Sequence, residues 1–190
     1  EQAQVVIVGG GAVGCSIAYH LTKIGITDVL LLERKQLTCG TTWHAAGLVG
    51  QLRATANMTK IAQYTAELFL ELEEETGQAT GMKQNGSISV ATDTERLEEL
   101  QRGASMARVF GLEVEKVSAE WIAQKYPVMH TDDIVGGVFL PRDGQTNPID
   151  VNQAMAKGAR NGGETILENT PVTGATINNG GVSAVQTASG

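Results

Sequence analysis

The chain has 190 residues, enough for one domain or one and a fraction, and its 42% apolar content is that of an ordinary soluble core. A formal charge of −7 with no offsetting basic cluster argues against nucleic acid as a partner, and no run approaches the ~20 apolar residues that a bilayer span needs. No charged-then-apolar targeting segment precedes the first apolar run, and Cys15 and Cys39 have neither metal-ligand nor disulfide-framework spacing, so free thiols in a reducing compartment are expected.

Val5-Val6-Ile7-Val8 is a continuous apolar run of the kind that forms a fully buried parallel strand, and Gly9-Gly10-Gly11-Ala12-Val13-Gly14 follows at once. In this Gly-x-Gly-x-x-Gly pattern Gly9 permits a tight turn, Gly11 lets the backbone approach a pyrophosphate, and Gly14 lets helix and strand pack closely. A helix is predicted from near Ala12, with its free N–H groups and positive dipole end turned to phosphates. Val13, Ile17, Ala18 and Leu21 have one-face spacing, and Gly25 closes the helix. Val29 to Leu32 reads as a second buried strand. Glu33 stands at its end, where an acidic side chain takes the hydroxyls of an adenosine ribose and disfavours a 2′-phosphorylated cofactor. A short glycine pattern is a weak signal by itself; the strand, turn, helix and strand around this one make it a dinucleotide-binding prediction.

Residues 57–77 read as a long amphipathic helix with Met58, Ile61, Thr65, Leu68 and Leu72 on one face, Asn57 capping its start and Gly77 its end. Its acidic end, Glu71 and Glu73 to Glu75, reads as a solvated face. Gly86 to Ala91 alternates as a half-buried strand. Thr92-x-x-Glu95 has the form of a capping box before a helix to about Phe110. Val114 to Val117 and Val135 to Leu140 are strand candidates, with a helix between them that Ser118 starts and Pro127 ends. Asn147-Pro148 places a cap and a first-turn proline before a helix that stops at Gly162-Gly163. The tail reads as strands Thr165 to Glu168, Val172 to Ile177 and Val182 to Thr187, with a turn at Asn178 to Gly181. No His, Cys or carboxylate set suggests a metal; His20 reads as a helix residue and His130 as a loop residue. The order of elements suits a discontinuous nucleotide domain with a second domain inserted. The expected boundaries are 1–85 and 146–190 for the first and 86–145 for the second. The chain stops at Gly190 with no later strand for the parallel sheet, so a fragment is expected.

The segment Leu37-Thr38-Cys39-Gly40-Thr41-Thr42-Trp43-His44-Ala45-Ala46-Gly47-Leu48 is followed by Leu72-Glu73-Glu74-Glu75-Thr76-Gly77, Asn85-Gly86-Ser87-Ile88, Asp143-Gly144 and Pro171-Val172-Thr173-Gly174. Together these resemble the dimethylglycine and sarcosine dehydrogenase family, flavoproteins of the D-amino-acid-oxidase-like superfamily. The resemblance runs over essentially the whole chain, and the Thr-Trp-His-Ala-Ala-Gly string is its specific part. It implies an α/β fold: a Rossmann-like FAD-binding domain of the D-amino-acid-oxidase and glutathione-reductase type with an inserted α+β substrate domain, incomplete in this chain.

Carried over residue by residue, the resemblance implies FAD joined covalently through His44 to the methyl group on the flavin's benzene ring, a reaction suited to a neutral imidazole nucleophile. It places Ala12 and Val13 against the pyrophosphate beside Gly9, Gly11 and Gly14, Glu33 on the ribose and Arg34 beside the adenine. Gly40, Thr41, Thr42, Ala45, Gly47 and Leu48 follow the remaining phosphate and the flavin, and Val172 meets the adenine through its backbone. Solvated charge is the alternative for Arg34 and Lys35, and core filling beside the cofactor the alternative for Trp43.

The implied reaction is oxidation of a small N-methyl amino acid, giving formaldehyde or a one-carbon unit for tetrahydrofolate. Electron-transfer flavoprotein or dioxygen would be the acceptor, and bacterial cytoplasm or mitochondrial matrix the compartment. In the family the substrate clamp and any folate-binding half come from later sequence, so no catalytic acid or base is assigned. Two other readings are a noncatalytic homologue of the pyruvate dehydrogenase phosphatase regulatory type, which lacks the Trp-His pair, and a nicotinamide-dependent dehydrogenase, which gives Thr41 to Gly47 no role.

Overall fold

The computed structural model describes residues 2–188. In chain order the elements are β1 (Val5–Val8), α1 (Ala12–Lys23), β2 (Val29–Leu32), a 3-10 turn (Thr42–His44), β3 (Leu48–Val49), α2 (Ala56–Thr76), β4 (Ser87–Ala91) and α3 (Thr94–Val109). They continue with β5 (Glu115–Val117), α4 (Ala119–Lys125), β6 (Gly136–Leu140), β7 (Gly144–Gln145), α5 (Pro148–Asn161), β8 (Thr165–Leu167), β9 (Val172–Asn178) and β10 (Gly181–Thr187). The backbone divides into two compact units, residues 1–47, 69–81 and 147–190 in the first and 48–68 and 82–146 in the second.

The first unit is built on a parallel sheet in the order β1-β2-β8, with Val5 opposite Val29 and Leu30 opposite Thr165. The central strand β2 is the most deeply covered, Val29, Leu31 and Leu32 all being buried, as a parallel strand between neighbours requires. Helix α1 packs on α5 at small residues: a Cβ at Gly158 would lie 2.7 Å from the Tyr19 ring, and one at Gly162 would lie 2.7 Å from the Thr22 side chain. The Tyr19 hydroxyl donates to Glu75 at 2.7 Å and Lys23 pairs with the same carboxylate at 3.0 Å. Burial works to raise the Glu75 carboxyl, but these two partners outweigh it and hold it below its ordinary value. Glu75 therefore leaves the solvated acidic face expected of 71–75 and ties the end of α2 to α1. Strands β9 and β10 form an antiparallel hairpin in which Val172 faces Thr187.

The second unit is an antiparallel sheet, β4-β6-β5, with every residue of β6 buried. Ala104, Ala107, Leu112, Val114, Val138 and Leu140 form one core group, and Val117, Ile122, Ile134 and Phe139 another. The short ladder β3-β7 pairs Leu48 with Gln145 and Val49 with Gly144. Buried Asp143 accepts from the Gln51 N–H at 2.8 Å and the Ser87 hydroxyl at 2.6 Å.

Several local expectations are corrected. Residues 48–68 and 82–85 group with the second unit and not the first, because β3 pairs with β7 and Lys83 bridges to Gln145. Helix α2 is capped by Thr55, whose hydroxyl accepts from the Met58 N–H at 3.3 Å, so Asn57 lies inside the helix. Its buried side carries Thr59, Ala66, Leu68, Leu72 and Thr76, while Met58 and Ile61 are exposed, so the apolar stripe is rotated from the one expected. Asp93 and not Thr92 caps α3, its carboxylate accepting from the Arg96 N–H at 2.7 Å. Ser118 and Asn147 cap α4 and α5 as predicted.

Candidate functional site: a cleft at the glycine turn

The glycine run leaves the C-terminal end of β1 and enters α1 at Ala12. Gly9 has φ +109°, which excludes most side chains, and a Cβ at Gly14 would overlap the Gly9 carbonyl oxygen. The helix start has no side-chain cap of its own because its N-cap is Gly11. Its first N–H, on Ala12, is instead taken by the Thr42 hydroxyl at 3.0 Å, thirty residues along the chain. No local pattern points to this pairing, which binds the 3-10 turn to the fingerprint.

Ile7, Val8, Gly9, Gly11, Ala12, Val13, Gly14 and Ile17 line a cleft of about 380 Å³ together with Glu33, Arg34, Cys39, Gly40, Thr41 and Thr42. That is the size class of small-molecule sites. The structure thus brings together ten of the expected residues, Gly9, Gly11, Ala12, Val13, Gly14, Glu33, Arg34, Gly40, Thr41 and Thr42. His44, Ala45 and Gly47 continue on the same segment outside that lining. Val172 opens the β9 hairpin, and Leu48 opens β3 of the second unit.

Glu33 is only 6% exposed, and its carboxylate is already engaged. Oε2 accepts from the Gly10 N–H at 2.7 Å; Oε1 accepts from the Lys35 N–H at 2.9 Å and the Cys39 thiol at 3.4 Å. Burial works to raise its carboxyl, but the Gly10 and Lys35 N–H groups, the Cys39 thiol and the Arg34 charge together hold it below its ordinary value. An ionised carboxylate has about four acceptor positions, so capacity remains for a ligand hydroxyl. Glu33 is therefore a brace of the glycine turn as well as a wall of the cleft.

Gly10 occupies a variable position of the fingerprint and was not singled out, yet the turn is organised around it. A Cβ there would overlap Leu37 and lie 3.0 Å from the Glu33 Cβ. Its carbonyl accepts from the Thr38 N–H at 3.3 Å, the Asn152 Nδ2 at 3.0 Å and the Cys15 thiol at 3.5 Å. Thr38 reaches it with a left-handed backbone, φ +71°, of the kind kept where surrounding structure over-determines it. Burial pushes the Cys15 thiol up to about 11, so it stays protonated and can donate. One signal for Asn152 was present: it is the polar member of an otherwise apolar buried face of α5 that includes Met155, Ala156 and Ala159.

His44 closes the 3-10 turn, its N–H bonded to the Thr41 carbonyl at 3.1 Å, and its side chain is exposed. The Trp43 ring lies against the imidazole, with centroids 3.7 Å apart and planes at 37°. Trp43 is 54% exposed, so it does not fill the core; it covers one face of His44 instead. Neither imidazole nitrogen has a hydrogen-bond partner among the described residues.

Comparison with known proteins follows the same lines. The family model described as FAD dependent oxidoreductase matches residues 4–190. The chain is 41% identical over 173 residues to human mitochondrial sarcosine dehydrogenase, covering 90% of this chain and 19% of that protein. It is 38% identical over 190 residues to human mitochondrial dimethylglycine dehydrogenase, covering 100% and 22%. It is 39% identical over 189 residues to the mouse mitochondrial pyruvate dehydrogenase phosphatase regulatory subunit, covering 100% and 22%. The chain thus spans about a fifth of the length of these relatives. Among solved structures, L-proline dehydrogenase from P. horikoshii superposes with a TM-score of 0.93 at 26% identity, over 100% of this chain and 50% of that one. The fold is the FAD-binding α/β fold of that family.

Proposed function

The chain belongs to the FAD dependent oxidoreductase family, and on that footing we propose that it is the FAD-binding portion of an enzyme that oxidatively demethylates a small N-methyl amino acid of the sarcosine or dimethylglycine type. The observation that carries the reading is that Gly40 to Thr42 lines the glycine-turn cleft while the same segment, two residues on, carries an exposed and unbonded His44. The chain's similarity over its whole length to sarcosine and dimethylglycine dehydrogenases supports it.

The residues present fit FAD. The turn is packed so tightly that a Cβ at Gly10 would overlap Leu37 and one at Gly14 the Gly9 carbonyl, and the cleft that Gly9, Gly11 and Gly14 line opens on a helix start whose dipole favours a diphosphate. Gly9, Gly11, Ala12, Val13 and Gly14 would hold the diphosphate, Glu33 the ribose hydroxyls and Arg34 the adenine edge. Val172 would meet the adenine by its backbone. Gly40, Thr41, Thr42, Ala45, Gly47 and Leu48 would follow the remaining length. His44 would form the covalent bond to the ring methyl, with Trp43 limiting how the imidazole turns. When bound, FAD supplies two-electron oxidation of the substrate's N-methyl carbon. Residues of this chain bind, orient and retain that group. The oxidised amine carbon then takes up water to leave formaldehyde, or passes as a one-carbon unit to tetrahydrofolate; electron-transfer flavoprotein or dioxygen would take the electrons. The compartment would be the mitochondrial matrix or the bacterial cytoplasm.

The test is made on the full-length protein. A tryptic peptide containing Thr41 to Gly47 should carry the mass of FAD on His44, and acid-precipitated protein should keep its visible absorption. His44→Ala should bind FAD but lose the flavin in acid, with turnover lower by about tenfold, or about 1.4 kcal/mol in the barrier. An unmodified peptide from a flavin-loaded, active enzyme would refute the covalent bond. The similarity to the phosphatase regulatory subunit favours a second, noncatalytic reading. A flavin-free protein with no amine-dependent reduction of an electron acceptor would favour that one.

A further inference from the structure

We infer that Asn152 is a positioning residue for the cofactor diphosphate, acting through the Gly10–Gly11 peptide. The inference rests on the cleft being an FAD site. Asn152 is fully buried on α5, and its Nδ2 donates to the Gly10 carbonyl at 3.0 Å across 142 residues of chain. The amide orientation follows from chemistry: turned over, its oxygen would face the carbonyl oxygen with nothing between them. The Cys15 thiol meets the same carbonyl from α1, also fully buried, and the Thr38 N–H from the loop after β2. All three donors therefore draw the carbonyl into the protein.

In a trans peptide the carbonyl and the following N–H point to opposite sides, and no described peptide bond is cis. Drawing the Gly10 carbonyl inward turns the Gly11 N–H outward, on the side where Gly11 lines the cleft. Glu33 holds the preceding peptide by its Gly10 N–H at 2.7 Å, so both peptide planes that flank Gly10 are fixed before a ligand arrives. Asn152 and Cys15 are the side-chain donors among these, and the amide is the stronger of the two. Thr38 and Cys15 act through a backbone amide and a weak thiol donor. The Asn152 Oδ1 has no hydrogen-bond partner among the described residues, so the amide is anchored through its Nδ2.

The experiment uses full-length apoprotein prepared under riboflavin starvation, titrated with ADP and, separately, with adenosine. ADP engages the diphosphate and ribose positions and adenosine only the latter. Asn152→Leu should weaken ADP binding by about tenfold, the scale of one hydrogen bond to an ionised group, while adenosine binding stays within twofold of wild type. Asn152→Asp adds an internal check. Protonated, the acid can still donate to the Gly10 carbonyl; ionised, it repels it. Its ADP affinity relative to wild type at the same pH should therefore fall between pH 5 and pH 8. Unchanged ADP affinity in both variants, or equal loss of ADP and adenosine, would overturn the inference. So would failure of both variants to fold, which would assign Asn152 to the stability of the unit. If wild-type apoprotein itself does not bind ADP, the cleft reading fails instead.

Discussion

The glycine turn and the Trp43–His44 turn lie on the same unit but are held in opposite ways. Around Gly10 the backbone is fixed by side chains brought from far along the chain, Glu33 on one side and Asn152 and Cys15 on the other, all buried. Around His44 the bonds are those of a 3-10 turn and the side chains are exposed. The turn packs on α5, and the Thr42 hydroxyl ties it to the glycine turn through the Ala12 N–H. A diphosphate would meet donors already set in place, so little of its binding energy goes into ordering the protein. The far end of the same ligand would be retained by chemistry at one reactive side chain.

That contrast is most easily broken at Gly14. Gly14→Ala sets a Cβ against the Gly9 carbonyl, which is backbone and cannot step aside, and should cost about 3 kcal/mol or more in stability and abolish flavin loading. Gly10→Ala meets the flexible end of Leu37 first and should cost less. Thermal unfolding of the two apoproteins and flavin content after expression make the comparison; equal tolerance of both would mean that the turn is not rigid.

Glu33→Ala comes next. It leaves the buried Gly10 N–H without a partner and should cost about 1–3 kcal/mol of stability, with weaker FAD acquisition on top. The wild-type carboxylate has a lowered folded value, so its contribution is present above about 4.5, its ordinary value, and is lost as the pH falls through the lowered one. Acid denaturation curves of wild type and Glu33→Ala should converge at the acid end.

Glu164 sharpens the comparison from the opposite sign. It is buried just before β8 with no hydrogen-bond partner on either oxygen among the described residues, and burial raises its carboxyl from 4.5 to about 7. The folded state thus keeps a proton that the unfolded chain has lost, and stability falls as the pH rises from about 4.5 to about 7. Glu164→Gln should gain about 1–2 kcal/mol at pH 8, with the gain gone by pH 5. A gain of the same size at both values would show that the carboxyl is not protonated in the fold. The smallest effect is expected at the exposed turn, where His44→Ala should change the stability of the apoprotein by no more than about 0.5 kcal/mol.

Much of the first unit was legible because its signals are local. The apolar runs of β1 and β2, the glycine spacing and the Asn147-Pro148 cap each act within a few residues, and each element formed where it was read. What escaped the reading depends on pairs distant in sequence. Thr42 caps α1 from thirty residues away, and Asn152 reaches Gly10 from the far end of the chain. The boundary near residue 48 was misread because β3 and β7 are two residues each, too short to show a period, and only their pairing assigns them to the second unit. The stripe of α2 was misread because Met58 and Ile61 are apolar but exposed, while Thr59 and Thr76 are buried with their hydroxyls bonded to backbone.

The two tryptophans of this chain fall one to each unit: Trp43 at the exposed turn and Trp121 against Phe139, with ring centroids 5.1 Å apart. With Trp121→Phe in place, indole emission from this chain would come from Trp43 alone. A flavin ring is an efficient acceptor of indole emission, and the His44 ring to which the proposed bond would join it already lies against Trp43. The pair is thus a built-in optical gauge. The brightness of Trp43 would fall once a flavin were joined to the neighbouring His44 ring.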